Sequence, residues 1–600
     1  MLTELAASIH APFKEQTFIP SIEDRPRWDA LDPQLKKKLL HLGESCLNYH
    51  YPQITAADYM EFSRTGNRSN YQEKAFNRRI ALNHLVLAEC LEDQGRFIDD
   101  IINGLVLICE ESAWQIPAHN SYIRDTVQFN LPDITRPVID LFAAETGAVL
   151  GVAEALLRPR LAAVSPFISV MIQDKINRRI IEPYLNCHFW WMGDGISKMN
   201  NWTVWCTQNV LLASFCQTLP DHIQTALIQK ACQSTDYFLA DYGEDGCCDE
   251  GAGYYRHAGL CLFNIIEILN YLTGQVFMPL YQETKICNIA AYIRNVHVDD
   301  ACYINFADCS PLAGRCNARE FLFGERTGNH DLMAFSAADY KRSEDPLLME
   351  EHNLYYRLQT LSQHQAMSEY SMESATTPPD CYYESTGLWI ARDSTFCLAV
   401  KAGGNADSHN HNDTGSFILY KHGKPMFIDV GVETYTKNTF SPKRYELWPM
   451  QSGYHNLLTF GRTMQKDGRQ YKAKDVTVAL EPSRAAIAME LADAYPAPGP
   501  KSYRRNVIFA KEEIITITDT FKSSQTPVVL SLMTYEKPSW LESSQQLQIG
   551  TLGTCRIKGA KIVTIESIPI TDARLSQAWK HAIYRTLITV EGSQIQLEIQ

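Results

Sequence analysis

NADSHNHNDTGSFIL, residues 405–419, is the stretch from which the rest of the chain is read. His409 and His411 stand two positions apart between the acids Asp407 and Asp413, and an apolar run follows. In an extended strand alternate residues face one side, so the two imidazoles are expected to point the same way from one edge. Taken singly, the motif reads equally well as a polar loop ahead of a buried strand. Two later stretches add weight to a site. Asp429 lies in MFIDVG and His455 in GYHNLLTF, so His411, Asp429 and His455 make a candidate set of two imidazoles and one carboxylate. Such a set suits a divalent metal of borderline hardness, zinc first, with manganese or calcium as the other candidates, because spacing does not choose the ion. No organic cofactor is expected.

Downstream of this edge the apolar period is two. In EIITITDTF, Ile515, Ile517 and Asp519 alternate with threonines, and VVLSLM and KIVTIESI read as further short strands. Residues 376–600 are therefore expected to form an antiparallel β domain with strands enough for at least two sheets. Upstream, from about residue 30 to 370, the period is helical. Leu262, Ile265, Ile266, Leu269 and Leu272 recur at three and four and stop at Gly274, and Ile286, Ile289, Ile293 and Val296 repeat the pattern. Many such helices joined by short loops predict a large helical domain over residues 1–375, built of antiparallel pairs. The polar stretch Ser362 to Asp380, which ends in two prolines, reads as the linker.

Six hundred residues exceed one ordinary core, and 45% apolar with 21% charged residues describes a soluble globular protein. A formal charge of −14 argues against nucleic-acid or membrane-surface binding, since both partners are anionic. An anionic substrate would need its positive ligands gathered in a cleft. The N-terminal residues show no basic start followed by a long apolar core, and no run approaches a membrane span. The 17 cysteines are scattered, with one adjacent pair, Cys247 and Cys248, which suits reduced thiols in a cytoplasm.

Three stretches of the helical part are unusually polar and aromatic. KMNNWTVWCTQN, from Lys198, sets Asn200 and Asn201 before Trp202 and Trp205. DGCCDEGAGYYRH, from Asp245, is a glycine-punctuated turn that delivers Glu250, Tyr254, Tyr255, Arg256 and His257. CEESAWQIPAHN, from Cys109, ends in His119 and Asn120. Aromatic faces stack on sugar rings, and amides and guanidinium groups donate to carboxylates or sulfates. Trp202 and Trp205, three apart, read equally as core residues of a helix.

Together these stretches resemble the heparinase II/III-like polysaccharide lyases, including the oligoalginate and glycosaminoglycan lyases. The resemblance rests on NNWxxxC at Asn200 to Cys206, EGxGYY at Glu250 to Tyr255, SHNHND at Ser408 to Asp413, FIDVG at Phe427 to Gly431 and YHN at Tyr454 to Asn456, in that order. It implies an incomplete α/α toroid of helical hairpins followed by stacked antiparallel sheets as a β-sandwich. It also implies β-elimination at a uronic acid. An amide, Asn200 or Asn201, would hydrogen-bond the sugar carboxylate. Tyr254 would deliver a proton to the departing oxygen and, for one stereochemistry, abstract one as well. His409 would be the base for the other stereochemistry, or would assist charge neutralisation. Trp202, Glu250, Tyr255, Arg256, His119, Asn120, Tyr435 and Arg444 are the candidate substrate contacts. The metal at His411, Asp429 and His455 would be structural, fixing the edge that presents His409.

The implied partner is an anionic oligo- or polysaccharide such as heparan sulfate, another glycosaminoglycan or alginate; a homodimer is compatible with the sequence. Some relatives carry histidine where this chain has Asn200 or Asn201, so the amide does not name the polymer. A glycoside hydrolase is the alternative enzyme, with Glu110, Glu111, Asp249 and Glu250 as its available carboxylates. A non-catalytic carbohydrate-binding protein is the third reading.

Overall fold

The computed structural model describes residues 1–9, 18–123, 126–371 and 377–600. Two compact units emerge, and the chain passes between them more than once. The first comprises Met1–Tyr242, His257–Glu283 and Cys316–Ser374, and the second Gly243–Arg256, Thr284–Arg315 and Ala375–Gln600. Two short segments from the helical half thus pack with the β half, a division that sequence periodicity does not register.

The first unit is helical. The periodic run ending at Gly274 is the helix Gly259–Thr273, and Gly274 closes it at φ +70°, its N–H bonded to Asn270 O. Helices pair with their neighbours: Pro33–Ser45 on Ser69–Glu92, Leu141–Val164 on Asn201–Phe215, and Ala318–Thr327 on His330–Arg342. Burial sorts them into two kinds. Pro33–Ser45 buries one stripe, Leu35, Leu39 and Gly43, as an outer helix should. Asn201–Phe215 is buried at every position except Trp202, so it lies inside. Its N-cap is Asn200, whose side-chain oxygen accepts the Trp202 N–H at 3.1 Å. The residues expected to begin the linker are helical instead. Leu354–Glu369 continues through Ser362, and Met367 is fully buried within it. The polar run marks an exposed helix face, and polarity alone does not distinguish that from a linker. The expected boundary at 375/376 lies outside the described residues.

The second unit is antiparallel β. A five-stranded sheet runs in chain order through Cys381–Tyr383, Leu388–Arg392, Phe396–Lys401, Phe417–Lys421 and Lys424–Phe427. An eight-stranded sheet contains Ser502–Ala510 and Ile514–Lys522, and a four-stranded sheet contains Val528–Thr534 and Ala560–Pro569. The alternation read from EIITITDTF holds, with Ile515, Ile517, Asp519 and Phe521 buried. One core joins the sheets, including Trp389, Leu398, Phe417 and Leu419 with Ile517, Leu530 and Ile588.

Inside that core sits one buried ion pair. Arg505 Nε and Nη2 donate to Asp519 Oδ1 and Oδ2 at 2.7 and 2.6 Å. Its Nη1 donates to the Gly415 and Asn456 carbonyls at 2.7 and 2.8 Å, so one guanidinium ties the histidine segment and the YHN segment to the large sheet. Replacing Arg505 by Met strands a buried Asp519 and releases both carbonyls. The expected cost in urea unfolding of the full-length protein is about 3 kcal/mol, the range for breaking a buried pair from one side; a loss well under 1 kcal/mol contradicts this account.

Candidate active site and metal centre

The histidine segment is not a strand. It crosses between Gly404–Asn405 and Phe417–Lys421 as turns, and His409 has φ +55°, a left-handed conformation that breaks the alternation expected of an extended edge. The two imidazoles converge for another reason. Both donate to one carboxylate that the sequence reading missed, Asp308, about a hundred residues earlier.

Asp308 is fully buried. His409 Nδ1 donates to Oδ2 at 2.8 Å and His411 Nε2 to Oδ1 at 3.0 Å. Arg444 Nη2 donates to Oδ1 at 2.6 Å and the Tyr435 hydroxyl to Oδ2 at 3.1 Å. Four donors fill the four lone-pair sites of a carboxylate. Burial pushes this acid up, but the two histidine bonds and Arg444 outweigh it and hold Asp308 well below the usual carboxylate range. Because an ionised carboxylate only accepts, each histidine must place its proton on the nitrogen facing Asp308. In their neutral forms His409 therefore carries its lone pair at Nε2, which lies 3.9 Å from Glu250 Oε2, and His411 carries one at Nδ1.

The metal set meets at that second lone pair. His455 Nε2 faces the Pro449 carbonyl at 3.0 Å, which also only accepts, so its lone pair is at Nδ1. Asp429 Oδ1 takes the Gly431 N–H at 2.9 Å. The remaining atoms, His411 Nδ1, His455 Nδ1 and Asp429 Oδ2, are buried and converge within 4.8 Å of one another, with His455 Nδ1 2.9 Å from Asp429 Oδ2; burial lowers His455, but this ion-pair contact outweighs it and raises it. Three converging donor atoms, each with its rear atom held by a second hydrogen bond, fit a divalent cation that would replace the proton between His455 and Asp429. In a second group, Glu145, Glu351 and His352, the ligand atoms likewise lie within 4.8 Å of one another. There the donor atoms are already bonded: His352 Nε2 to Glu145 Oε2 at 2.7 Å, and Asn353 Nδ2 to Glu145 Oε1 at 3.0 Å. Burial pushes His352 down, but the Glu145 charge prevails and lifts it to about 9, the mark of an ion pair.

Beside His409 stands a pair of phenols. Tyr254, on the short helix Ala252–Tyr255, stacks on the His409 ring at 4.5 Å between centroids. Its hydroxyl is 2.5 Å from that of Tyr435. Burial and the Asp308 charge raise Tyr254 well above an ordinary phenol, against the Tyr435 bond and the Arg574 charge. His409 moves up as well: burial lowers it, while the Asp308 bond and the charge of Glu250 raise it further.

The other candidates divide by unit. Glu250, Tyr255 and Arg444 are buried, and Arg444 spends its remaining nitrogens on the Asn410 and Thr439 carbonyls at 3.0 and 3.1 Å. Arg256 Nη2 donates to the Arg315 carbonyl at 2.5 Å. In the first unit His119 bonds Asp140 at 2.9 Å and packs against Trp202 at 4.6 Å, and Trp202 meets Trp190 at 5.0 Å. Asn120 is buried, its amide nitrogen held by the Phe129 and Leu131 carbonyls. Asn201 is buried, and Asn200 is half-buried at its cap. Glu111, considered for hydrolysis, is held by Arg78 and Arg79 at 3.1 and 2.6 Å.

Helical pairs followed by stacked antiparallel sheets are the architecture of heparinase-like lyases. Heparinase III superposes on all of this chain and 88% of its own, at TM-score 0.64 and 12% identity. A mutant heparan sulfate lyase HepC from Pedobacter heparinus covers 100% of this chain and 87% of its own, at 0.55 and 10%. A mutant chondroitin AC lyase from Streptomyces coelicolor A3 covers 96% and 82%, at 0.52 and 12%. Residues 375–548 match the family model Heparinase II/III-like, C-terminal. No curated protein matches the sequence. Among the described residues no helix is long and apolar enough to cross a membrane.

Two outcomes follow from this geometry. His411→Ala should lose bound metal, measured by elemental analysis, and melt at lower temperature; retention of both would mean the ligand set is misassigned. For His352, the folded pKa lies above the value of about 6.5 for free histidine, so its stabilising contribution is full below that pH and is lost as pH rises through about 9. The stability gap between wild type and His352→Gln should therefore close between pH 6.5 and 9.5, and a gap constant with pH would refute the ion pair.

Proposed function

We propose that the protein is a polysaccharide lyase that cleaves uronate-containing glycans by β-elimination. The heparan sulfate and chondroitin lyases among its structural neighbours favour a glycosaminoglycan over alginate. The observation that carries this reading is one constellation: an imidazole with its lone pair directed away from Asp308, stacked on a phenol that is bonded to a second phenol.

Elimination needs a base for the proton on the carbon beside the sugar carboxylate, and an acid for the departing glycosidic oxygen. His409 Nε2 is the proposed base, and the Tyr254 hydroxyl the proposed acid. The electron pair left by the proton forms the new double bond as the bond to the glycosidic oxygen breaks, and Tyr254 donates its proton to that oxygen. For the opposite stereochemistry the phenol serves as both. On the resemblance, Asn200 is the proposed partner of the sugar carboxylate. An ion held by His411, Asp429 and His455 would supply charge that fixes His411, and through Asp308 the orientation of His409; its proposed role is structural. Hydrolysis, which needs carboxylates free to act on water and sugar, fits less well: of its candidates Glu111 is held by Arg78 and Arg79, and the carboxylate bonded to His409, Asp308, is saturated by four donors. The 17 cysteines, all free, support a reducing compartment, and the cytoplasm is the proposed location.

The test is a panel of glycosaminoglycan and alginate oligosaccharides, monitored for ultraviolet-absorbing unsaturated products. Tyr254→Phe, which removes one hydroxyl and little volume, should lower turnover by about a hundredfold to ten-thousandfold, the range for losing a general acid or base. Its metal content and melting temperature should not change. Near-normal turnover in this variant would reject the assignment.

A further inference from the structure

A cation from the far C-terminal segment reaches the tyrosine pair. Between the strand Ala560–Pro569 and the short helix Leu575–Ala578, Arg574 lays its guanidinium over the Tyr435 ring, with Cζ 4.3 Å from the centroid. Its Nη2 donates to the Asp308 backbone carbonyl at 3.0 Å. Asp572 holds it in place: Oδ1 accepts the backbone N–H groups of Arg574 and Leu575 at 2.9 and 3.0 Å. The same carboxylate accepts the Thr434 N–H at 3.0 and 3.1 Å, one residue before Tyr435, so a single acid sets both partners of the stack. The segment lies beyond the 375–548 family match.

We infer that Arg574 is a positioning residue of the proposed elimination, supporting the negative charge left on the Tyr254–Tyr435 pair when a proton departs. The inference rests on the lyase reading above. When Tyr254 gives its proton to the glycosidic oxygen, its O–H bond breaks, an O–H bond forms on the sugar, and a phenolate remains. With the two hydroxyls 2.5 Å apart, the Tyr435 hydroxyl turns its proton from Asp308 to the Tyr254 phenolate, and the charge is shared by both oxygens.

Several charged or titratable groups face the pair. Asp308, which accepts from Tyr435, and Glu250 oppose a phenolate, as does burial. His409 stacks on Tyr254. Arg444 is cationic, but it binds the Asp308 carboxylate directly, which cancels much of its field. Arg574 bonds a neutral carbonyl, and among the described residues it forms no ion pair, so its charge stays available to the phenols. It is the cation that lowers both tyrosines. The pair is half-buried, so such a charge acts with less screening than at an open surface.

The experiment compares wild type, Arg574→Met and Arg574→Lys, with circular dichroism and melting curves to establish that each is folded. One arm measures kcat and KM against pH on the best oligosaccharide of the panel. The other places a fluorinated tyrosine of lowered phenol pKa at Tyr254 and follows its ionisation by fluorine NMR without substrate. Arg574→Met should lower kcat about tenfold to a hundredfold with KM within about twofold, and should move phenol ionisation to higher pH by about one unit or more. Arg574→Lys should recover part of both. An unchanged ionisation pH in Arg574→Met overturns the inference, whatever happens to kcat, since a merely structural residue would leave it unmoved. If wild type forms no unsaturated product on any substrate, the lyase reading fails, and the NMR arm still decides whether Arg574 supports the phenolate.

Discussion

A buried carboxylate with four donors is the constraint on which the site depends. Taking Asp308 out of water costs several kcal/mol, which only close, well-directed partners offset. Arg444 supplies the countercharge at 2.6 Å, and the two imidazoles and one phenol complete the shell. Each partner is oriented by the bond it makes. His409 is turned so that Nε2 points away from Asp308, and His411 so that Nδ1 does. One acid thereby orients two histidines two positions apart in opposite senses, one towards the tyrosine pair and one towards the candidate metal set.

The β core holds this arrangement rigid. Gly415 and Asn456, which follow the two histidine-bearing segments, are bonded by the same Arg505 guanidinium, and Asp519 neutralises it from the facing strand. Both segments are irregular backbone and would drift without such a tie. The left-handed His409 is part of the same logic, because a strained torsion persists only where the surroundings over-determine it. Here Asp308 and the stacked Tyr254 do so.

Much of the fold was legible because it is written in local periodicity. The helix ending at Gly274 and the strand of EIITITDTF follow from spacings of three to four and of two, which burial of one face demands. The candidate metal set was legible because few residue types bind a borderline cation, and His411, Asp429 and His455, which the fold brings together, stand out by type alone. The linker failed for the same reason that periodicity works. Ser362 to Glu369 is polar because this end of its helix is mostly exposed, and an exposed helix end and a linker look alike in composition.

By itself, the sequence determined the order of helices and strands, the identity of the three candidate ligands, and the tyrosine and histidine that stand beside each other. Those depend on residue type and short-range pattern. Only the tertiary structure decided that Asp308 and Arg574 join them. Asp308 is one acid in an ordinary run, and Arg574 one arginine near the C-terminus. Their importance lies in distances across a hundred residues or more, set by how sheets and loops pack, and no local pattern encodes such a distance.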